Sequence, residues 1–376
     1  MILAECARTS SKLYHIDIKG AFLHAVLPEE IYMTLPPWIE DGEQRTLVRL
    51  KKSLYGLKQA GREWYLTISK HLTDEMQYNQ SKCDPCLFWN EDRRMIIFLY
   101  VDDILAMTKE EKLYTDFISK LKAAGFEIGA AEPARWYLGQ RIIQEDGKIK
   151  VDQTAMIEAL LSKYKMADCN PAKTPMTTKR LEDPKGDQMW KQDVPYRSLI
   201  GSLLYLATHS RPDIAFAVGE LSKYNDKYGE EHWTAAKRVL RYLKGTKEYQ
   251  QVFSPKESDQ IVGYCDSDWA GNWKGNGDQV AKSTTGYIFM MNGGVISSRS
   301  RKQSTVALSS AEAEYMALAE AGQEALHLMQ LYQDITGQVK KPEIYDDNTA
   351  AIQMTENEVH QPRSKHISIR FHFIRS

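Results

Sequence analysis

The sequence predicts a multidomain protein of mixed α+β and α/β class, and three observations carry that expectation. Residues 1–147 alternate strand-like and helix-like segments, and an apolar run there, "FLYVDDILAM", holds two adjacent aspartates. Residues 153–245 read almost wholly as amphipathic helix. From residue 260 onward three strand patterns, a long helix, a strand and a helix follow, which is an α/β layer order. The expected divisions are 1–147, 148–255 and 256–376.

Bulk properties narrow the class. Of 376 residues, 43% are hydrophobic and 26% charged, as in an ordinary globular chain. A net charge of −1 supplies no global attraction for polyanions, so any nucleic-acid site must be a local basic patch. Five cysteines (Cys6, Cys83, Cys86, Cys169 and Cys265) are too few and too scattered for a disulfide framework and suit a reducing compartment. Cys83 and Cys86 form one CxxC with no second ligand pair, so ordinary thiols are expected rather than zinc. No apolar run nears the ~20 residues a membrane span needs. The opening enters a strand pattern at once and reads as the middle of a domain.

In order along the chain, "YHIDIKGAF" alternates, with Ile16 and Ile18 on one face and His15 and Asp17 on the other. "EIYMTLPPWI" is extended and stops at Pro36 and Pro37. "LKQAGREWYLTISKHLTDEM" has helical periodicity, and "RMIIFLYVDDILAMT" is a hairpin with the aspartates at its tip. "DFISKLKAAGF" is a helix closed by Gly125. Four helices follow: "QTAMIEALLSKYKM", "YRSLIGSLLYLATHS", "DIAFAVGELSKYND" and "EEHWTAAKRVLRYLKGT"; the polar segment from Lys173 to Val194 is a loop. In the last helix Trp233, Ala236, Leu240 and Leu243 share one face, and Lys237, Arg241 and Lys244 share another. That second face is either solvated charge or a stripe that follows phosphates.

The aspartate pair needs a reason, because a carboxylate in apolar surroundings is costly. Asp102 and Asp103 are either an exposed Asp-Asp turn or ligands of divalent cations. With the Asp17 strand beside the hairpin, three carboxylates would converge, which suits paired Mg²⁺ ions. Two such ions ~3.5–4 Å apart activate an attacking hydroxyl and stabilise a leaving pyrophosphate.

The third region repeats the logic. "YCDSDWAG" puts Asp266 and Asp268 at a strand end. Ser309 and Glu312 fit a capping box. Glu314 lies at the end of an apolar stripe of Leu318, Ala321, Ala325 and Leu328, where a carboxylate needs a partner. "EIYDDNTAA" adds Asp346 and Asp347 where a strand meets a helix. Each alone is a turn or cap residue; the set suggests metal.

"DIKGAFL", "SLYGLKQAGREWY" and "YVDDIL", in that order, resemble the palm of a copia-type LTR-retrotransposon reverse transcriptase. "PAKTPM", "YRSLIGSLLYLATHSRPDIAFAV" and "HWTAAKRVLRYLKGT" extend the resemblance. "DSDWAG", "RKQSTVALSSAEAEYMAL", "DDNTAAI" and "KHISIRFHFIR" resemble the ribonuclease H of the same Pol polyproteins. The resemblance implies a palm with partial fingers, a helical thumb or connection, and a truncated ribonuclease H-like α/β domain. It implies Asp17, Asp102 and Asp103 as polymerase metal ligands, and Asp266, Glu314 and Asp347 as nuclease ligands, with Asp268 and Asp346 as second choices. Each site would take two Mg²⁺ or Mn²⁺ ions. Phe22 matches the gate against a 2′-hydroxyl, and Gly56 and Lys58 match the nucleotide- and template-binding loop. Lys237, Arg241 and Lys244 would follow the nucleic-acid backbone. The implied partners are an RNA template, a DNA primer, an RNA–DNA hybrid and deoxynucleoside triphosphates, with no membrane. The implied setting is intracellular, in cytoplasmic virus-like particles, with the nucleus as a further one.

Departures accompany the match. Gly61 stands where proline is usual, and Ser368 where aspartate is usual. The family's N-terminal fingers segment has no counterpart, nor does a strand and helix with a fourth acidic ligand after "FHFIRS". A Pol fragment is therefore expected, active or an inactive remnant that folds and binds nucleic acid.

Overall fold

The computed structural model describes residues 1–36, 39, 46–179, 181–182, 194–269 and 282–356. Pro37, the loop after Trp269, much of the Lys173–Val194 segment and the "KHISIRFHFIR" run lie outside the described residues.

The first third runs α1 (Ile2–Thr9), β1 (Lys12–Ile18), a 3-10 turn (Ala21–His24), β2 (Tyr32–Thr34), β3 (Leu47–Arg49) and α2 (Ala60–Lys70). A π-helical turn (His71–Glu75) prolongs α2. Next come β4 (Asn79–Gln80), β5 (Leu87–Trp89), β6 (Met95–Tyr100), β7 (Asp103–Thr108), α3 (Glu111–Ala123) and β8 (Ile128–Pro133). Six of these strands form one sheet in the order β4-β5-β6-β7-β1-β8. The alternation read from the sequence sorts its two faces. Tyr14, Ile16, Ile18, Ile104 and Ala106 pack with Trp64 and Ile68 of α2 and Phe117 and Leu121 of α3. Leu13, Leu105 and Met107 face the other way, onto Ala4 and Ala7 of α1. His15 and Asp17 share this second face, at its open end.

The middle third adds β9 (Trp136–Tyr137), β10 (Gln140–Glu145), β11 (Lys148–Asp152), α4 (Thr154–Lys163), α5 (Tyr196–His209), α6 (Ala215–Ser222), α7 (Glu230–Gly245) and β12 (Gln251–Phe253). The four strands pair in the order β12-β11-β10-β9. The β10–β11 hairpin turns through Asp146 and Gly147, both at positive φ, so the division at residue 147 falls inside a hairpin. The helices share one core through Leu199, Leu203, Val218, Leu221, Val239, Leu240 and Leu243. Arg211, only 2% exposed, is satisfied by Asp213 and by Thr246 at the end of α7. A buried guanidinium is tolerable only when paired in this way.

The last third is β13 (Val262–Asp268), β14 (Thr284–Met291), β15 (Gly294–Lys302), α8 (Ser310–Thr336), β16 (Glu343–Tyr345) and α9 (Thr349–Glu356). Its sheet order is β15-β14-β13-β16, with β16 parallel to β13. A parallel neighbour requires a crossover, and α8 supplies it. Ser309 accepts from the Glu312 amide at 3.2 Å, and the Glu312 carboxylate accepts from the Leu308 amide at 2.6 Å. The first bond caps α8 as the Ser-x-x-Glu spacing predicts, and the second ties the Glu312 carboxylate to the amide one residue before the N-cap. Leu318, Ala321, Ala325 and Leu328 are buried as one stripe.

The first and last thirds touch at the far end of α8. Ser81 Oγ and Cys83 Sγ both donate to Asp334 Oδ2, at 2.6 and 3.2 Å, and Arg93 Nε donates to the Asp334 carbonyl at 3.1 Å. The CxxC thus lies on a docking loop. The chain is a mixed α+β protein, and no helix among the described residues is long and apolar enough to cross a membrane.

Candidate active sites

The first carboxylate group forms where β1 runs beside the β6–β7 hairpin. Asp17 lies directly opposite Asp103, and Tyr100 pairs with Asp103 from the other side. The tip is not the Asp-Asp turn that the sequence left open: Val101 and Asp102 make the turn, and Asp103 is already a ladder residue. Val101 has φ 54°, a strained region for a β-branched side chain. Its carbonyl accepts from Trp64 Nε1 at 2.6 Å, and the Asp102 carbonyl accepts from the Ile18 amide at 2.9 Å. The first bond holds the turn against α2 and the second holds it against β1.

Two like charges opposite each other on a sheet repel, so the pairing is unfavourable without a counter-charge. The donor set is hard carboxylate oxygen, which suits a divalent cation such as Mg²⁺. The two carboxylates have different neighbours. His15 Nε2 lies 2.6 Å from Asp103 Oδ1. Asp17 Oδ2 occupies the space that a Cβ at Gly129 on β8 would fill.

Phe22 follows Gly20, whose φ of 59° bends the chain out of β1 into the 3-10 turn. Its ring lies 4.8 Å from that of Tyr55. The Ser53 amide donates to the Ala25 carbonyl at 2.9 Å, which brings the "SLYGLKQ" loop alongside. Gly56 at φ 97° needs its missing side chain, and Lys58 is exposed. The basic stripe on α7 is less free than its spacing suggests. Arg241 Nε donates to the Asn170 carbonyl and Lys244 Nζ to the Cys169 carbonyl, both at 2.7 Å, while Lys237 is half-buried.

The second group is tighter. Asp266 sits near the end of β13, Asp347 follows the parallel strand β16, and Glu314 projects from the second turn of α8. One ligand oxygen from each lies within 4.8 Å of the others, a convergence found among the described residues for this trio and not for Asp17, Asp102 and Asp103. Glu314 is 7% exposed, and its Oε2 has no hydrogen-bond partner. Burial, then the charges of Asp346 and Asp266, push its carboxyl up to about 7. An orphaned, buried carboxylate oxygen facing two other acids fits a divalent cation. Asp268 and Asp346 are otherwise engaged. Asp268 accepts from the Thr284 amide, and Asp346 accepts from the Asn348 amide at 2.9 Å and from Cys265 Sγ at 3.3 Å.

No sequence motif marks His15, Gly129 or Trp64 as site residues. Strand alternation places His15 on the face of Asp17, which is the available signal. Nothing local marks Gly129, whose neighbour is 112 positions away.

A family model described as reverse transcriptase (RNA-dependent DNA polymerase) matches residues 1–178. The chain is 37% identical over its whole length to the Pol polyprotein of transposon TNT 1-94 from Nicotiana tabacum, and 34% identical to that of transposon RE2 from Arabidopsis thaliana. It belongs to the copia-type retrotransposon Pol polyproteins. This Pol segment spans 28% and 26% of those two relatives. It also covers 90% of an uncharacterized mitochondrial protein of Arabidopsis thaliana, at 33% identity over 225 residues.

Proposed function

We propose that this Pol segment is an RNA-directed DNA polymerase carrying a second, RNA-cleaving site. The observation that carries the first activity is the register of Asp17 against Asp103, with Asp102 in the turn between β6 and β7. Two Mg²⁺ or Mn²⁺ ions bound there would supply the Lewis acidity for in-line nucleotidyl transfer. The chain's own residues do the rest. Phe22, backed by Tyr55, would exclude a 2′-hydroxyl from the incoming deoxynucleoside triphosphate. Gly56 would let template or nucleotide approach the backbone, and Lys58 would contact phosphate. Lys237 remains a backbone-contact candidate, joined by Arg241 and Lys244 if the 169–170 carbonyls release them.

The second activity rests on the Asp266, Glu314 and Asp347 cluster. By the same chemistry it would hold two ions and hydrolyse the RNA strand of an RNA–DNA hybrid. Extension of oligo(dT) on poly(rA) tests the polymerase. Mg²⁺-dependent extension that is lost in D102N is expected. Nucleic-acid binding without extension would return the inactive-remnant reading.

A further inference from the structure

We propose that His15 is a positioning residue for the polymerase site, fixing the Asp103 carboxylate by donating to one of its oxygens and leaving the other for a divalent cation. This role rests on the polymerase reading above. A carboxylate only accepts, so the 2.6 Å contact is a donation from His15 Nε2 to Asp103 Oδ1. Both side chains are largely shielded, at 21% and 29% exposure. His15 stands one full pleat from Asp17 on β1, so it reaches Asp103 along the diagonal of the ladder.

The imidazole is itself held. Its ring meets the edge of Tyr137 on β9, with centroids 6.0 Å apart at 70°. The turn after Tyr137 runs through Leu138, a non-glycine residue at φ 46°, and Tyr205 of α5 donates to the Leu138 carbonyl at 2.6 Å. A route of direct contacts therefore runs from the helical region through β9 to His15 and Asp103. Groups that orient a metal-binding carboxylate typically change metal affinity about 10–100-fold when removed.

The test is Mn²⁺ binding to the full chain, read by electron paramagnetic resonance of the free ion. E314Q serves as the parent so that the second cluster is silenced, and D17N in that background identifies the palm sites. His15→Phe keeps a ring against Tyr137 but cannot donate; His15→Gln keeps a donor; His15→Ala is the smaller variant should Phe not fold. Binding weakened about 10–100-fold in H15F, and largely restored in H15Q, is the expected result. Binding in H15F within twofold of the parent overturns the positioning role, and so does equal weakening in H15F and H15Q. A parent with no Mn²⁺ binding that D17N removes overturns the metal reading of the palm itself, and the role of His15 with it.

Discussion

Gly129 shows how a residue without chemistry sets the position of one that has it. A Cβ there would overlap Asp17 Oδ2 and crowd Lys19 Cγ at 3.2 Å. Gly129→Ala is predicted to displace the Asp17 carboxylate and lower kcat/KM for extension roughly 10- to 100-fold, since small misplacements of reacting groups are that costly. The melting temperature should barely change, because the atom that must move is the end of a side chain. Glu314 makes a second prediction, in pH. An unfolded glutamate releases its proton near 4.5, and this one holds it to about 7. Between those values the folded chain binds more protons, so metal-free stability should fall as pH rises from 4.5 through 7. Melting curves across that range check it: E314Q should flatten the dependence, and added Mg²⁺ should offset the loss at neutral pH. Glu314 was legible as a site residue because a charge ended an apolar stripe. His15 and Gly129 were not, since their significance depends on which strands become neighbours.

Helix faces and strand alternation were the most legible features at the scale of elements. The apolar face of α7 is buried where the spacing put it, with Ala236, Leu240 and Leu243 inaccessible. Leu240→Ala should cost about 2–5 kcal/mol in chemical denaturation. Gly61 lies in the first turn of α2 with open space where a Cβ would go. Gly61→Ala should therefore stabilise the chain by about 0.4–1 kcal/mol, mainly by restricting the unfolded state. Less legible were features decided by packing between elements. The hairpin tip moved by one residue because Trp64 and Ile18 bind the Val101 and Asp102 carbonyls. The cationic face of α7 reads as free from its spacing, yet two of its cations cap carbonyls of a loop about 70 positions earlier.

For the whole molecule, the two carboxylate groups lie on separate sheets that share one apolar cluster. Leu13, Leu105 and Met107 of the first sheet and Cys265, Tyr287 and Phe289 of the last belong to it. The polar link at Asp334 closes the same boundary from the far end of α8. Asp334→Ala removes acceptors for Ser81 and Cys83. It should lower stability by about 1–3 kcal/mol and speed amide exchange in the last turns of α8. The layer order of the last region was legible from its sequence of elements, whereas this boundary was not, because it joins residues more than two hundred positions apart. Both acidic groups are proposed as metal sites, and anomalous scattering from a crystal grown with Mn²⁺ would locate the ions. Manganese peaks are expected between Asp17 and Asp103 and among Asp266, Glu314 and Asp347. Ordered acidic side chains with no manganese beside Asp17 would contradict the proposal.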